Sequence, residues 1–250
     1  MSPFAFLQTD LPIAFAHRGG ALEAPENTLA AFGHAVSLGY RYIETDVQAT
    51  RDGIAVIFHD DDLKRLVGRP EAVGDLDWSE LRNLRVAGEE IPRLDDLLTA
   101  WPELRINLEP KSDSAVVPIA EAIRRAAALD RVCVGSFQEA RVRRLRELLG
   151  AELCWSPGPL GVFRVWATGH GLPLGAPDCG ALQVPTHFRG IPLVTRKLVR
   201  AAHARGLQVH VWTVDKREEM ERLLDLGVDG LMTDRPTLLR DVLRTRGLWS

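Results

Sequence analysis

Cysteine is scarce in this sequence, with three among 250 residues. The number of cysteines is odd, and the three residues, Cys133, Cys154 and Cys179, lie too far apart for a CxxC metal or redox motif. Cys133 falls in an apolar, strand-like run, so a small buried side chain is the better interpretation. This cysteine usage fits a reducing compartment.

Long apolar runs and an excess of basic residues are also missing. No window approaches the roughly 18 apolar residues of a membrane span. Residues 1–15 lack the basic region and the uninterrupted apolar stretch of a signal peptide, so we expect a cytoplasmic protein. The formal net charge is -3, which argues against a general nucleic-acid binder. A local cluster of cations could still bind a small anionic substrate.

The sequence does contain an alternation of short apolar strands with helical patterns. Such alternation predicts a parallel sheet with helical crossovers, and eight such units in 250 residues fit a (β/α)8 TIM barrel. A doubly wound open sheet is the alternative, but no GxGxxG follows the first strand. The predicted strands are 13–17, 42–48, 54–59, 104–110, 132–137, 152–156, 181–185, 208–214 and 230–233. The predicted helices are 27–39, 77–84, 94–101, 116–129, 138–150, 195–206 and 216–227.

The chain contains no obvious linker, so we expect residues 1–250 to form one barrel domain. Residues 54–59 follow strand 42–48 after the turn signal 50-TRDG-53, either as a hairpin or as a bent continuation of that strand. Residues 61–92 show no strong periodicity and predict a long βα loop that carries a small helix.

Polar residues at predicted strand ends are the candidates for chemistry, because a barrel places its site at the C-terminal ends of its strands. His17 and Arg18 close the first strand. Glu44 and Asp46 lie two apart on the second strand, so their side chains share a face. Ionised carboxylates buried together are costly. The pair therefore predicts either a divalent cation or ion pairs with arginines at the barrel mouth.

Strand 104–110 adds a third carboxylate. Asn107, Glu109 and Lys111 alternate along the chain here, so they share a face near the end of the strand. Three carboxylates form an oxygen set suited to Ca²⁺ or Mg²⁺, which favours the metal interpretation. A lysine beside a cation suggests that an anion such as phosphate lies between them.

Histidines form the second group of candidates. His59 closes the run 54–59, again where a strand meets its loop. One histidine is more often structural, but His17 and His59 beside carboxylates suit general acid and base catalysis near neutral pH. His210 and Trp212 lie on strand 208–214. We interpret His210 as an interior histidine, and Trp212 either as a wall of a substrate pocket or as a packing residue.

The turn after the first strand has its own signals. Gly19 and Gly20 predict a sharp turn and room for the close approach of a substrate. Residues 25–28 have the composition of a helix start, where Glu26 is favoured near the positive end of the dipole. Glu26 could instead orient a catalytic histidine or arginine, and the sequence leaves both roles open.

Taken together, these features resemble the glycerophosphodiester phosphodiesterase family over almost the full chain. The first two motifs below are highly specific in combination. One departure is 65-RLVG-68, where relatives commonly have Thr after the arginine, and it bears on the substrate rather than on the reaction. The motifs that carry the resemblance are 17-HRGGALEAPENTLAAF-32, 44-ETDVQATRDGIAVIFHDDDLKR-65, 91-IPRLDDLL-98, 107-NLEPK-111, 135-GSF-137, 211-VWTVD-215 and 229-DGLMTDRP-236.

The resemblance implies a TIM barrel of the PI-PLC-like phosphodiesterase type and a hydrolase that depends on one divalent cation, Ca²⁺ or Mg²⁺. Such an enzyme releases glycerol 3-phosphate and an alcohol from small glycerophosphodiesters. By motif position, the implied metal ligands are Glu44, Asp46 and Glu109, the acid/base pair is His17 and His59, and the phosphate contacts are Arg18 and Lys111.

Two alternatives keep the barrel but change its function. The first is a lysophospholipase D-type activity, for which residues 157–175 could supply an apolar groove or a peripheral membrane contact. The core face of a helix is the favoured interpretation of the apolar residues in this segment. The second is a barrel that binds a phosphorylated ligand without turnover, and the intact residue set argues against it. The head group and the oligomeric state stay open.

Overall fold

The computed structural model describes residues 2–9, 12–172 and 174–249. Within these residues, eight parallel strands alternate with eight helices and form the predicted (β/α)8 barrel. The strands are β1 Ile13–His17, β2 Tyr42–Ala49, β3 Arg105–Pro110, β4 Val132–Val134, β5 Cys154–Trp155, β6 Ala181–Pro185, β7 Gln208–Trp212 and β8 Gly230–Thr233. The helices are α1 Leu29–Ser37, α2 Leu94–Ala100, α3 Val116–Arg125, α4 Glu139–Leu149, α5 Pro159–Gly169, α6 Arg196–His203, α7 Arg217–Leu226 and α8 Pro236–Thr245.

The strand register sets the height of the polar residues in the barrel. Neighbouring barrel strands are consecutive in the chain, and β8 pairs with β1. His17 on β1 is aligned with Glu44 on β2, and Asp46 on β2 is aligned with Glu109 on β3. Because the strands are parallel, their C-terminal ends meet at one end of the barrel, where these side chains collect.

The barrel is nearly closed. Among the described residues, β5 and β6 form no strand pairing, and two hydrogen bonds cross the seam between them. The Gly180 N–H donates to the Trp155 carbonyl over 3.1 Å, and the Gln183 N–H donates to Ser156 Oγ over 3.0 Å. Each bond joins a strand residue, Trp155 or Gln183, to a residue just outside the other strand, so the seam lacks a regular strand pairing.

Threonine caps set the starts of two predicted helices. Thr28 Oγ1 accepts the N–H of Ala31 over 3.1 Å, so α1 begins at Leu29, two residues after the predicted start. Thr195 likewise caps α6. Such side chains satisfy backbone N–H groups that have no partner inside the helix. The predictions for these two helices were right in type and wrong by a few residues at the ends.

Other boundaries differ more from the sequence-based prediction. The predictions for 132–137 and 152–156 are too long, because β4 and β5 leave the sheet early. Helix α8 is absent from the predicted set, although Pro236 in its first turn is a common helix-start signal.

The segment between β2 and α2 forms an excursion over the barrel mouth. Strand Ala55–Ile57 pairs antiparallel with the end of β2, so the hairpin interpretation is confirmed. Buried apolar side chains, including those of Phe58, Leu63 and Leu81, give the excursion a small core of its own. Its other elements are helices Lys64–Val67 and Trp78–Leu81, the 3-10 helix Val73–Asp75, and the hairpin of Arg85–Val86 and Glu89–Glu90.

The remaining elements are short. They are the 3-10 helices Ala5–Leu7 and Leu129–Arg131 and a hairpin of His187–Phe188 with Ile191–Pro192 in the β6–α6 connection. None of the helices in the described ranges is long and apolar enough to cross a membrane.

Candidate active site

The turn after β1 is packed against two helices. Gly19 and Gly20 have φ angles of +83° and +104°, a region that glycine adopts without strain. A Cβ on Gly19 would lie 2.7 Å from Cβ of Ala31, and one on Gly20 would lie 2.6 Å from Cγ of Pro236. The predicted sharp turn is confirmed, but the space beside these glycines is filled by α1 and α8 rather than left open for a substrate.

Three carboxylates meet at the ends of β2 and β3. One carboxylate oxygen from each of Glu44, Asp46 and Glu109 lies within 4.8 Å of the other two. Glu44 and Asp46 are 5% and 2% exposed, whereas the Glu109 side chain is 25% exposed. The structure thus brings together the three residues that the sequence nominated as metal ligands.

Two cations border this carboxylate cluster. Lys111 Nζ lies 3.5 Å from Asp46 Oδ1 and 3.4 Å from Glu109 Oε2. Arg18 Nε lies 3.1 Å from Asp46 Oδ2, although that N–H does not point along a hydrogen bond. Ion pairs with cations at the barrel mouth, the alternative to a metal ion, are therefore present around Asp46.

Two of the three carboxylates have raised pKa values despite these neighbouring cations. Burial raises the pKa of Glu44 to about 8; the His17 charge opposes this shift and the Asp46 charge adds to it. Burial also raises the pKa of Glu109, with Lys111 opposing it. A cation that binds here competes with protons for the carboxylate oxygens, so its affinity depends on pH.

His17 is held from behind by an aspartate. Its Nδ1 lies 2.7 Å from Oδ1 of Asp234, and its Nε2 lies 3.6 Å from Oε2 of Glu44. Burial alone would lower the pKa of His17, but the charge of Glu44 and the hydrogen bond to Asp234 together raise it to about 9. The imidazole is therefore fixed with a proton on Nδ1 and with Nε2 toward the carboxylates.

His59 has a matching arrangement on the other side of the cavity. Its Nδ1 lies 2.6 Å from Oδ1 of Asp60. Hydrogen bonds from Arg65, together with the bond from His59, lower the pKa of Asp60 to about 2. An ionised aspartate at Nδ1 leaves Nε2 of His59 as the ring nitrogen available for proton transfer.

Glu26 joins the two histidine-bearing segments. Arg65 donates to both of its carboxylate oxygens over 2.8 Å, and also to Asp60 over 2.7 Å. Arg18 Nη1 donates to Glu26 Oε1 over 3.1 Å. Of the two open roles for Glu26, the structure supports the orienting one: its carboxylate holds two arginines, one beside His17 and one behind His59.

One cavity of about 470 Å³ is lined by the two histidines, Arg18, Lys111 and the three clustered carboxylates. Its polar floor contains the predicted residues of both histidine motifs, the acidic cluster and Lys111. The opposite side is apolar, and we call it the apolar wall. The apolar wall consists of Phe137, Val162, Phe163, Trp166, Phe188, Ile191, Leu193 and Trp212.

The two aromatic candidates on β7 have different surroundings. Trp212 lies in the apolar wall, with its ring edge-on to Phe137 at a centroid distance of 5.7 Å. His210 is fully buried in the barrel interior, where its Nε2 lies 2.9 Å from Gln208 Oε1. Burial lowers the pKa of His210 to about 3, so the ring is neutral. The interpretation of His210 as an interior histidine is confirmed.

Sequence reasoning gave no role to several residues that hold the site together. Asp234 lies in the quoted motif 229-DGLMTDRP-236, and Asp60 directly follows His59. Asn27 is buried, and its Nδ2 donates to Asp46 Oδ2 over 3.1 Å. Their motif membership was visible in the sequence, but the partner of each is fixed only by the fold.

The structure defines a (β/α)8 barrel with a charged cavity at the C-terminal ends of its strands. The model of the glycerophosphoryl diester phosphodiesterase family matches residues 17–238. The chain belongs to this family.

Individual relatives agree with this assignment. The chain is 46% identical to the probable glycerophosphodiester phosphodiesterase 2 of Mycobacterium tuberculosis, over 98% of this chain and 95% of that protein. It is 29% identical to the human lysophospholipase D GDPD1, over 91% of this chain and 84% of that protein. It also resembles the solved structure of an Oleispira antarctica phosphodiesterase in complex with sn-glycerol-3-phosphate. That match has a TM-score of 0.79 and 25% identity, and it covers 94% of this chain and 97% of that one.

Proposed function

We propose that this protein hydrolyses glycerophosphodiesters to glycerol 3-phosphate and an alcohol, as a single catalytic domain that requires one divalent cation. The observation that carries the proposal is a shared cavity in which two aspartate-bound histidines flank three clustered carboxylates. The glycerol 3-phosphate complex of the related Oleispira antarctica enzyme supports the same substrate class.

The donor set fits a hard divalent cation. Glu44, Asp46 and Glu109 would hold it, because clustered carboxylate oxygens are the ligands that Ca²⁺ and Mg²⁺ prefer. Burial raises the pKa values of Glu44 and Glu109, and a bound cation would stabilise their charged forms. When bound, the cation supplies electrophilic stabilisation of a phosphoryl oxygen.

Formal charges also match a phosphodiester. With a cation bound, Glu44, Asp46 and Glu109 would be ionised, and together with Arg18 and Lys111 they would carry a net charge of -1 before the cation is counted. A divalent cation would bring the site to +1, which the single negative charge of a phosphodiester then neutralises. Arg18 and Lys111 would shift away from Asp46 and contact the phosphate oxygens, since guanidinium and ammonium groups form strong hydrogen bonds to phosphate.

The two histidines would move the protons. One Nε2 takes the proton of the glycerol 2-hydroxyl as that oxygen bonds to phosphorus, and the P–O bond to the alcohol breaks. The other histidine gives its proton to the departing alcohol oxygen. Water then opens the cyclic phosphate with the two roles exchanged. Asp234 and Asp60 keep each ring in the required orientation throughout.

Product analysis tests the proposal directly. Purified protein is incubated with glycerophosphocholine and either Ca²⁺ or Mg²⁺, and glycerol 3-phosphate is measured with a coupled enzyme assay. We expect the wild type to release glycerol 3-phosphate. We expect His17→Ala or His59→Ala to reduce the rate of release by about 10²- to 10⁴-fold. Tight binding of the diester with no product after long incubation would instead identify a non-catalytic barrel.

A second candidate substrate is a lysophospholipid, and the apolar wall favours it. A water-soluble diester does not need eight apolar side chains beside the phosphate site, whereas an acyl chain does. Within α5 the core-face interpretation is half right: Val162 and Val165 are buried, but Phe163 is 49% exposed and lines the cavity.

The ratio of kcat/KM values for the two substrates distinguishes the two candidate functions. We compare kcat/KM for glycerophosphocholine and lysophosphatidylcholine in the wild type and in Phe163→Ser. A lysophospholipid substrate predicts that Phe163→Ser lowers kcat/KM selectively for lysophosphatidylcholine. An equal effect on both substrates, or no turnover of the lysophospholipid, would leave the small diesters as the substrate class.

A further inference from the structure

The mouth of the cavity carries an unusual group of exposed apolar side chains. Phe137, Phe163, Phe188 and Ile191 are 57%, 49%, 50% and 64% exposed, and all four line the cavity. We call these four residues the apolar rim. Large side chains exposed together around one opening mark an interaction surface more often than single exposed residues do.

The apolar rim draws on three separate connections of the barrel. Phe137 follows β4, Phe163 lies in α5, and Phe188 and Ile191 form part of the small hairpin after β6. Edge-to-face contact with Trp212 holds Phe137, and stacking on Trp166 at a centroid distance of 6.1 Å holds Phe163. The rim is thus an arranged surface rather than one loose loop.

The sequence segment that supplies three of the four rim residues is basic, although the protein as a whole is acidic. Residues 157–206, which contain three of the four rim residues, include six Lys and Arg but one acidic residue, Asp178. The whole protein has a formal net charge of -3. Positive charge is therefore concentrated in the part of the sequence that supplies most of the rim.

Two exposed arginines stand directly beside rim residues. Arg164 follows Phe163 in α5, and Arg189 lies between Phe188 and Ile191 at the tip of the hairpin. The Arg189 guanidinium carbon lies 5.5 Å from the centroid of the Phe188 ring. Aromatic and aliphatic groups bordered by arginine are the combination that enters the interface of an anionic bilayer.

We propose that the apolar rim, with Arg164 and Arg189, docks the mouth of the cavity onto the surface of an anionic phospholipid bilayer. The apolar rim enters the boundary between head groups and acyl chains, and the arginines contact lipid phosphates. The inference goes beyond the proposed reaction and does not depend on it, because docking needs no turnover.

Charge favours a bilayer over a second copy of this chain. A dimer with two-fold symmetry through the rim would bring Arg164 and Arg189 of the two copies close together, and like charges at an interface repel. An anionic surface attracts the same arginines. Self-association through the rim is nevertheless a distinct outcome that the experiment can detect.

Vesicle sedimentation tests the docking. Phosphatidylcholine vesicles are compared with vesicles of equal parts phosphatidylcholine and phosphatidylglycerol, in a chelator that prevents turnover and cation bridging. We expect at least about tenfold stronger partitioning into the anionic vesicles, weakening as salt is raised. The double variants Phe188→Ser/Ile191→Ser and Arg164→Glu/Arg189→Glu should each reduce partitioning by about tenfold or more.

The matched control lies at the opposite end of the barrel. Arg244 and Leu248 are exposed near the C-terminal end of α8, and Arg244→Glu/Leu248→Ser should partition like the wild type. Docking is excluded if the wild type does not sediment with anionic vesicles at low salt, or if control and rim variants lose binding equally. It is also excluded if sedimentation velocity shows a dimer that the rim variants dissociate.

Discussion

Nδ1 of His17 lies 2.7 Å from Oδ1 of Asp234, although 217 positions separate the two residues in the chain. The closure of the barrel by β1 and β8 brings them together. Asp234 is itself fixed, because its backbone N–H donates to Oδ1 of Asp215 over 2.8 Å. Nδ1 of His17 is therefore bound to the scaffold, and Nε2 faces the cavity.

Asp234→Asn should lower kcat strongly and leave KM nearly unchanged. The amide can keep the shape of the aspartate, but it no longer favours a proton on Nδ1 or stabilises the charged imidazole. We expect a loss in kcat of about 10²- to 10³-fold on glycerophosphocholine. Asp225→Asn, at an exposed carboxylate paired with Arg246, is the control. A kcat for Asp234→Asn within twofold of wild type would remove the orienting role.

Arg65→Lys tests the bridge between the two histidine segments. Lysine keeps the positive charge but cannot donate to Glu26 and Asp60 in two parallel pairs. We expect His59 to lose its orientation and kcat to fall by about tenfold or more, because small displacements of catalytic groups are costly. The measurement is steady-state kinetics alongside thermal unfolding.

A matched control for this variant lies at the start of the excursion. Arg51 forms a comparable bidentate pair of hydrogen bonds with the Asp77 carboxylate, but on the exposed surface. Arg51→Lys should therefore leave kcat unchanged. Equal losses in Arg51→Lys and Arg65→Lys would mean that the kinetic effect reflects general loosening of the excursion and not the position of His59.

Cation affinity should rise with pH. The pKa of Glu44 is raised to about 8, so near pH 6 this carboxyl holds a proton that a cation must displace. The pKa of Glu109 is also raised, which acts in the same direction. Affinity should increase as pH rises from 6 to 8 and then level off. Isothermal titration with Ca²⁺ and Mg²⁺ in two buffers of different ionisation enthalpy should detect protons released on binding. Affinity independent of pH, with no proton release, would contradict these pKa values.

Gly19→Ala should destabilise the fold through steric overlap. The added Cβ would lie 2.7 Å from Cβ of Ala31, and overpacking of this kind typically costs about 1–3 kcal/mol in the free energy of unfolding. Gly53→Ala is the matched control, since Gly53 has a nearly identical φ of +81° but open space around it. Urea unfolding of both variants separates the overlap from the backbone strain. Equal destabilisation would show that packing of α1 against the turn is not tight.

The sequence predicted the parts of the site that depend on strand periodicity. Glu44 and Asp46 share a face because they lie two apart, and Glu109 occupies the matching position on the next parallel strand. The strand types were also right for β1, β6 and β8, where apolar runs end at clear turn signals.

Contacts between distant segments could not be predicted in the same way. The pairing of Asp234 with His17 depends on barrel closure, and the bridge from Arg65 to Glu26 depends on how the excursion folds over the mouth. Exposure of Phe163 on a helix with a buried face depends on the orientation of α5, which periodicity alone does not give. These two contacts and the exposure of Phe163 depend on long-range geometry rather than on local sequence pattern.

Metal binding and turnover measured on the same sample test the central claim most directly. Metal-free wild type and Asp46→Asn are titrated with Ca²⁺ or Mg²⁺, while the bound ion and the glycerol 3-phosphate released from glycerophosphocholine are measured in parallel. We predict that activity of the wild type rises in proportion to one bound ion per chain, and that Asp46→Asn loses both binding and activity. Full turnover by the metal-free protein, or an Asp46→Asn variant that keeps both, would contradict the account.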